Sequence, residues 1–349
     1  MGIRVLVVDD SAFMRKLISE ILSSEPDIDV VATARNGRDA LDKLARLQVD
    51  VVTLDVEMPV MDGITTLEHI MKTRPIPVVM LSSLTKRGSE ITIKALSLGA
   101  VDFVLKPSGS ISLDLKTIGA DIVAKVKAAA LAKVEPILRK QPFMIEREPK
   151  IPAPTSGVAA NIVVAIGSST GGPKAVEEVL SNIPASIKAG ILITQHMPKE
   201  FTRSFAERLD RIVSVSVKEA EHGDLVEAGR AYVAPGDYHM TVGNGRRIFL
   251  NQDPPVQFLR PSVDVTMASL PRQYGNAIVG VILTGMGKDG AKGMSLIKQA
   301  NGITIAQDKG TSVIYSMPRA VAEEGNADYI LPLGQIGQTI TQLVAKMSR

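Results

Sequence analysis

Three residues far apart in the chain have the types that acyl transfer needs. The stretch "AIGSSTGGPKAVEEV" starts at Ala165 and holds Gly167-Ser168-Ser169-Thr170-Gly171. It matches G-x-S-x-G with Ser169 central, a pattern that exposes a serine hydroxyl on a tight strand-to-helix turn. The same spacing does not work with Ser168 central. A serine nucleophile needs a base, and the chain has four histidines. His69 lies in the helix-like "TLEHIMK", His222 in the turn-like "EHGD" and His239 in a hairpin region. His196 follows the apolar run "ILITQ" and is the candidate base. The acid that orients an imidazole is then Asp289, which follows the run "AIVGVILTG" within "GMGKDG". Glycines around Met286 let backbone N–H groups point inward, where with the helix N-terminus after Ser169 they form an oxyanion hole. Each residue also has a plainer reading. Asp289 alone caps a helix starting at Gly290, and His196 alone is a structural hydrogen-bonder. The glycine-rich turn alone is a phosphate cradle, although it fits neither G-x-G-x-x-G nor G-x-x-x-x-G-K-[ST].

A second set lies in the first third. Asp9 and Asp10 follow "IRVLVV", Asp55 follows "VVTL", and Lys106 follows "VDFVL". Clustered carboxylates repel unless a cation joins them, and hard oxygen ligands favour Mg²⁺. A nearby lysine balances charge and pairs with an incoming phosphoryl oxygen. Ser82 and Ser83 add hydroxyls at a fourth run's end. One Asp by itself reads as a helix cap; the whole set points to a site.

The elements that must position these residues alternate. Five short β-branched runs, "IRVLVV", "DVVATA", "DVVTLD", "IPVVML" and "VDFVLKP", alternate with amphipathic segments, the last helix running from about Leu115 towards Lys140. That pattern predicts a five-stranded parallel, doubly wound sheet, whose C-terminal strand ends meet in one crevice. "QPFMIEREPKIPAPTSGVAA" has four prolines and reads as a linker. After Asn161 the alternation resumes through "IVVAIG", "GILITQ", "VSVSVKEA", "AIVGVILTG" and "GITIAQ", with a last amphipathic helix. A β-rich insertion, "RAYVAPGDYHMTVGNGRRIFLNQ", interrupts it, with Asn244-Gly245 as a hairpin turn. The expectation is two α/β domains: residues 1–140 and 161–349, joined by a linker over 141–160. The second is a mainly parallel sheet with a β-hairpin insertion.

Composition narrows the class. The chain has 349 residues, 45% hydrophobic but 3% aromatic, so its cores rest on aliphatic side chains. Without cysteine, disulfides and thiol catalysis are excluded. A net charge of +3 is too mild to imply nucleic-acid binding. The opening "MGIRVLVVDD" reaches an acidic pair at once, so no signal peptide is expected. No apolar run approaches the ~20 residues that span a bilayer. A cytoplasmic protein without direct membrane insertion, and monomeric, is expected.

The first domain, from about Ile3 to Lys116, resembles a response-regulator receiver through "VLVVDDSAFMR", "VVTLDVEMPVMDGI", "VVMLSS" and "VDFVLKPS". The resemblance implies Asp55 as phospho-acceptor from a histidine kinase, and Mg²⁺ held by Asp10 and Asp55 with Asp9 shaping the site. It also implies that Lys106 contacts the phosphoryl group and Ser82 turns towards it as a switch. Nearly the whole chain resembles the chemotaxis receptor protein-glutamate methylesterases, through "IGSSTGGP", "TQHMP", "FTRSFAERL", "YVAPGDYHM", "RPSVD" and "LTGMGKDGAKG". That resemblance implies Ser169 as nucleophile, His196 as base and acid, and Asp289 as its orienter. It further implies the Met286 N–H at the oxyanion, Thr170 lining the site, and no cofactor in the esterase site.

The implied substrates are methylated chemoreceptors, with a chemotaxis histidine kinase as phosphodonor. Release of ammonia from receptor glutamines is a second activity that stays open. The implied regulation is an unphosphorylated receiver that covers the crevice edge. Two rival classes remain. A phosphorylation-controlled DNA-binding protein lacks a basic recognition stretch here. A non-catalytic adaptor is separable by methanol release.

Overall fold

The computed structural model describes residues 2–83, 85–106, 114–134 and 158–349, with side chains of 114–117 excepted. Most of the linker expected over 141–160 lies outside the described residues. The chain divides into two compact units, Met1–Met144 and Ile145–Arg349.

In the first unit, β1 (Ile3–Val8), β2 (Ile28–Ala34), β3 (Val51–Asp55), β4 (Val78–Ser82) and β5 (Asp102–Leu105) alternate with α1 (Ala12–Ser23), α2 (Gly37–Leu44), α3 (Gly63–Thr73), α4 (Lys86–Ser97) and α5 (Asp114–Ala130). The strands pair in parallel in the order β2-β1-β3-β4-β5. Helices cover both faces of such a sheet, which is why β3 and β4 are buried along their whole length. Side chains of Ser11, Asn36, Asp62 and Thr85 cap the starts of α1 to α4, each satisfying a backbone N–H that has no helical partner. The sequence suggested that α5 continues towards Lys140, but it ends at Ala130. Val126 and Ala129 are the last residues of its buried stripe, whereas Leu131 is exposed.

In the second unit the chain runs β6 (Val163–Ser168), α6 (Gly172–Ser181), β7 (Gly190–Gln195), α7 (Lys199–Ile212), β8 (Ser216–Glu219), β9 (Arg230–Val233), β10 (His239–Gly243) and β11 (Arg247–Asn251). It continues α8 (Val263–Ala268), α9 (Pro271–Tyr274), β12 (Ile278–Ile282), α10 (Ala291–Gln299), β13 (Ile303–Gln307), α11 (Ser316–Glu323), β14 (Tyr329–Leu331) and α12 (Leu333–Met347). Seven strands form one parallel sheet in the order β14-β13-β12-β6-β7-β9-β8. An antiparallel hairpin, β10-β11, stands apart from it.

Two expectations need correction. "RAYV" does not open the insertion; it is β9, inside the main sheet between β7 and β8. Its Ala231, Tyr232 and Val233 are buried, and the Tyr232 hydroxyl donates to the Leu225 carbonyl at 2.6 Å. The hairpin is therefore only β10 and β11, joined by a single 3-10 turn at Asn244–Arg246. The sequence reading also passed over α11 and the edge strand β14, whose three residues are too few to show a period.

β6 is the switch point of the sheet. The chain leaves it first to β7 on one side and later to β12 on the other. Open parallel sheets gather ligands beyond the C-terminal strand ends at such a place.

Candidate active site and acidic cluster

Ser169 leaves β6 directly after Ser168, the register partner of Gln195 on β7, and His196 follows Gln195. The serine and histidine are thus successive neighbours just past the ends of adjacent strands. The His196 N–H donates to the Ser168 carbonyl at 3.1 Å, and the Ser169 N–H donates to the Thr284 carbonyl at 3.1 Å. The second bond carries the pairing of β6 and β12 beyond the strands themselves. Two glycines are needed for this approach. Gly171 turns the chain into α6 with φ +75°, and a Cβ there would lie 2.7 Å from the Val313 Cβ. Gly285 packs against Ser169 so closely that a Cβ would lie 2.8 Å from the Ser169 Cβ.

The two adjacent serines have different surroundings. Ser168 is buried, and its hydroxyl donates to Gln195 Oε1 at 2.7 Å. Ser169 is half-buried. Gln195, itself buried, uses its amide to donate to the carbonyls of Ser169 at 3.0 Å and His196 at 3.1 Å. One side chain therefore ties both loop starts together. The sequence reading missed it, because a residue next to a candidate histidine on a strand buried on both faces carries no periodic signal.

His196 Nε2 lies 2.8 Å from Asp289 Oδ2. Asp289 is buried, and its remaining acceptor capacity is filled. Oδ2 also accepts from the Val263 N–H at 2.7 Å, while Oδ1 accepts from Ser262 Oγ at 2.8 Å and the Asp264 N–H at 3.0 Å. Burial alone would raise the carboxyl's pKa, but the His196 bond and charge, with the backbone donors, outweigh it and hold the pKa below the usual range. An ionised Asp289 accepts from Nε2–H, so in a neutral ring Nδ1 carries the lone pair. Nδ1 is buried and has no hydrogen-bond partner. The ring is thus set with one nitrogen fixed by a carboxylate and the other a free acceptor, which is what a general base requires.

The cap assigned to Asp289 by its plainer reading belongs to another residue. Asp264 Oδ1 accepts from the Gly290 N–H at 2.9 Å and the Gly293 N–H at 2.8 Å, covering the start of α10. Asp289 instead covers the start of α8. Burial, with the Asp289 charge adding to it, pushes the Asp264 carboxyl up. Neither Ser262 nor Asp264 was singled out from sequence, although both stand in "RPSVD".

Of the remaining residues, Met286 is about half exposed (48%) on the loop after β12. Thr170 is buried, and its carbonyl accepts from Thr284 Oγ1 at 3.0 Å. His69, His222 and His239 are elsewhere: His69 bonds within α3, His222 faces Phe249, and His239 bridges Ser262 and Pro254.

In the first unit, carboxylate oxygens of Asp9, Asp10 and Asp55 lie within 4.8 Å of one another. Lys106 Nζ is 2.8 Å from Asp9 and 2.7 Å from Asp55. Burial pushes the Asp55 carboxyl up to about 6, against the pull of Lys106 and with a push from Asp9. An all-oxygen donor set of this charge fits a hard divalent cation. Ser82 sits at the end of β4, but its hydroxyl is engaged by α4, accepting from Thr92 Oγ1 at 2.7 Å.

This is an α/β receiver unit with an acidic cluster, joined to a second α/β unit with a serine, a histidine and an aspartate at one sheet edge. Residues 164–340 match the CheB methylesterase family, and residues 5–116 match the response regulator receiver domain. A protein of Symbiobacterium thermophilum named protein-glutamate methylesterase/protein-glutamine glutaminase is 51% identical, over 99% of this chain and 98% of its own length. One of Pyrococcus abyssi with the same name is 48% identical, over 98% and 94%. The crystal structure of the Thermotoga maritima CheB methylesterase catalytic domain aligns with a TM-score of 0.51 at 44% identity, covering 52% of this chain and 98% of that one. The chain belongs to the CheB methylesterase family, with a response regulator receiver domain at its N-terminal end. Among the described residues, no helix is long and apolar enough to cross a membrane.

Proposed function

We propose that this protein hydrolyses γ-glutamyl methyl esters on the cytoplasmic helices of chemoreceptors, and that phosphorylation of Asp55 activates it. Ser169 attacks the ester carbonyl while His196 Nδ1 takes its proton. Asp289 holds the ring and stabilises the imidazolium that forms. The Met286 N–H donates to the oxyanion, and Thr170 lines the pocket. The imidazolium returns its proton to the leaving methanol. Water, activated by the same nitrogen, then releases the glutamate carboxylate.

The observation that carries this reading is the His196 Nε2–Asp289 Oδ2 bond of 2.8 Å beside an unpartnered Nδ1. A deamidating activity on receptor glutamines is a second reading, favoured by the names of the relatives and by the identical acyl chemistry. In the receiver, Asp9, Asp10 and Asp55 would hold Mg²⁺, which neutralises charge on the transferring phosphoryl group. Lys106 contacts that group, Ser82 turns towards it, and a chemotaxis histidine kinase is the donor. The receiver then shifts between a restraining and a released state, a change of a few kcal/mol. A monomeric, cytoplasmic protein with residues 1–140 as receiver and 161–349 as esterase fits this scheme.

The test is methanol release from methylated receptor with and without a small phosphodonor and Mg²⁺. Wild type should release methanol faster with the donor, Asp55→Ala should not respond, and Ser169→Ala should be inactive. Undiminished release by Ser169→Ala would refute the mechanism, and a receiver deletion with unchanged or lower basal activity would refute the restraint.

A further inference from the structure

The segment between β11 and α8 ends in a feature that the chemistry above does not use. Val256 and Leu259 exchange both backbone hydrogen bonds, at 3.1 and 2.9 Å, closing a two-residue turn. The two residues inside it are Gln257 at φ 53° and Phe258 at φ 63°. Such a turn calls for Asn-Gly, because only those residues enter the left-handed region cheaply. Here the second position is a phenylalanine whose side chain is 100% exposed. A lone exposed aromatic is ordinary. An exposed aromatic on a turn that its own Cβ disfavours is not, and outliers of this kind cluster at ligand-binding sites.

The surrounding structure holds the turn firmly. Arg260 Nε donates to Asp237 Oδ1 at 3.1 Å, and its Nη1 donates to the carbonyls of Gln252 at 2.9 Å and Asp253 at 3.1 Å. Gln252 donates to Asp237 Oδ2 at 3.0 Å. The buried His239 ring closes the base, with Nδ1 accepting from the Ser262 N–H and Nε2 donating to the Pro254 carbonyl, each at 3.3 Å. The same segment continues into Ser262, Val263 and Asp264, the three donors that hold Asp289. The ring is therefore presented on a braced loop continuous with the acid of the site. Met286 is the half-exposed apolar residue on the loop that packs against Ser169.

We infer that Phe258 is a docking contact for the protein substrate, packing on the apolar stripe of the helix that carries the ester. This rests on the esterase reading. Hydrolysis of a small ester requires only the groups around Ser169, so a contact on the turn that leads into Ser262 matters only to a substrate that extends beyond the ester.

The experiment uses the full-length protein with Mg²⁺, both with and without phosphodonor. It compares kcat/KM on a methylated chemoreceptor cytoplasmic fragment with kcat/KM on free glutamate γ-methyl ester. The ratio of the two is expected to fall about tenfold in Phe258→Ala through a higher KM on the fragment, a size consistent with partial burial of one ring. Phe258→Leu should recover most of it. A Gln257→Asn/Phe258→Gly double variant should also lower the ratio while raising Tm, because it relieves the turn. An unchanged ratio in Phe258→Ala and the double variant overturns the inference. So does higher activity only in the absence of phosphodonor, which would make the receiver the partner of the ring. Wild type inactive on both substrates overturns the esterase reading itself, and this contact with it.

Discussion

Replacing Asp289 by Asn probes the site most directly, because the four hydrogen bonds to this side chain determine what an amide can do there. An amide has one acceptor oxygen where the carboxylate has two. If its NH₂ replaces Oδ2, it meets the Val263 N–H, now 2.7 Å away, donor against donor, and it donates to His196 Nε2. The ring then carries its proton on Nδ1 and cannot act as a base. If the NH₂ replaces Oδ1 instead, it opposes the Asp264 N–H at 3.0 Å, while Ser262 Oγ can rotate to accept. The ring keeps its tautomer but loses the charge that stabilises imidazolium. One buried donor is orphaned either way, costing ~1–3 kcal/mol, and a charge-assisted bond of similar worth is lost. Relief of the repulsion between Asp264 and Asp289 offsets part of this. A net destabilisation of about 3 kcal/mol corresponds to a Tm lower by roughly 6–12 °C for a domain of this size. The catalytic loss should be far larger, on the order of 10⁴ in kcat by analogy with the same substitution in a serine protease. Methanol release and calorimetry on Asp289→Asn measure the two separately. Activity within tenfold of wild type, with folding intact, would refute the reasoning that Asp289 fixes the His196 tautomer.

Three further perturbations have expected outcomes. Gln195→Glu keeps the shape of the clamp but removes its two amide donors, orphaning the His196 carbonyl; kcat should drop at least ~10-fold with a loss of ~2–4 kcal/mol, read from steady-state kinetics and denaturant melts. Ser168→Ala should cost only ~1 kcal/mol, because Gln195 Oε1 loses one neutral donor, and should retain methanol release; an inactive, folded Ser168→Ala protein would reverse the assignment of the two serines. For Asp55, whose folded pKa of about 6 stands above its unfolded value, the contribution to stability is full below the unfolded value and is lost as pH rises through about 6. Metal-free protein should therefore be more stable at about pH 5 than at about pH 7.5 by roughly 1–1.5 kcal/mol. Mg²⁺ should offset the difference and Asp55→Asn should abolish it, both measurable by calorimetry.

Much of the architecture was legible because parallel strands buried on both faces must be β-branched and continuous, and the helices between them must be amphipathic. "IVVAIG", "GILITQ" and "AIVGVILTG" became β6, β7 and β12 for that reason. "RAYV" carries the same signal, but its neighbours "PGDY" and "NG" drew it into the hairpin, and only pairing with β7 and β8 separates them. Sequence could place Ser169, His196 and Asp289 at one sheet edge because each follows a strand and strand ends in such a sheet converge; the structure brings His196 onto Asp289 there. Gln195, Ser262 and Asp264 were not, because their roles depend on partners 26 and 27 residues away or more, a distance no local pattern spans. Phe258 was invisible for a different reason, since sequence records neither φ nor exposure.

By itself, the sequence determined two α/β units, most of their strands in chain order, and which side chains arrive at those strand ends. Hydrophobic periodicity and turn residues are local properties and suffice for that. Tertiary structure alone decided which nitrogen of His196 is held and which is left open, which of two aspartates supports the ring and which caps α10, and that Ser168 is locked to Gln195 while Ser169 stays half-exposed. Each of those choices is made by strand register and by the packing of α8 against α10, where a shift of one residue would exchange the roles of neighbouring side chains.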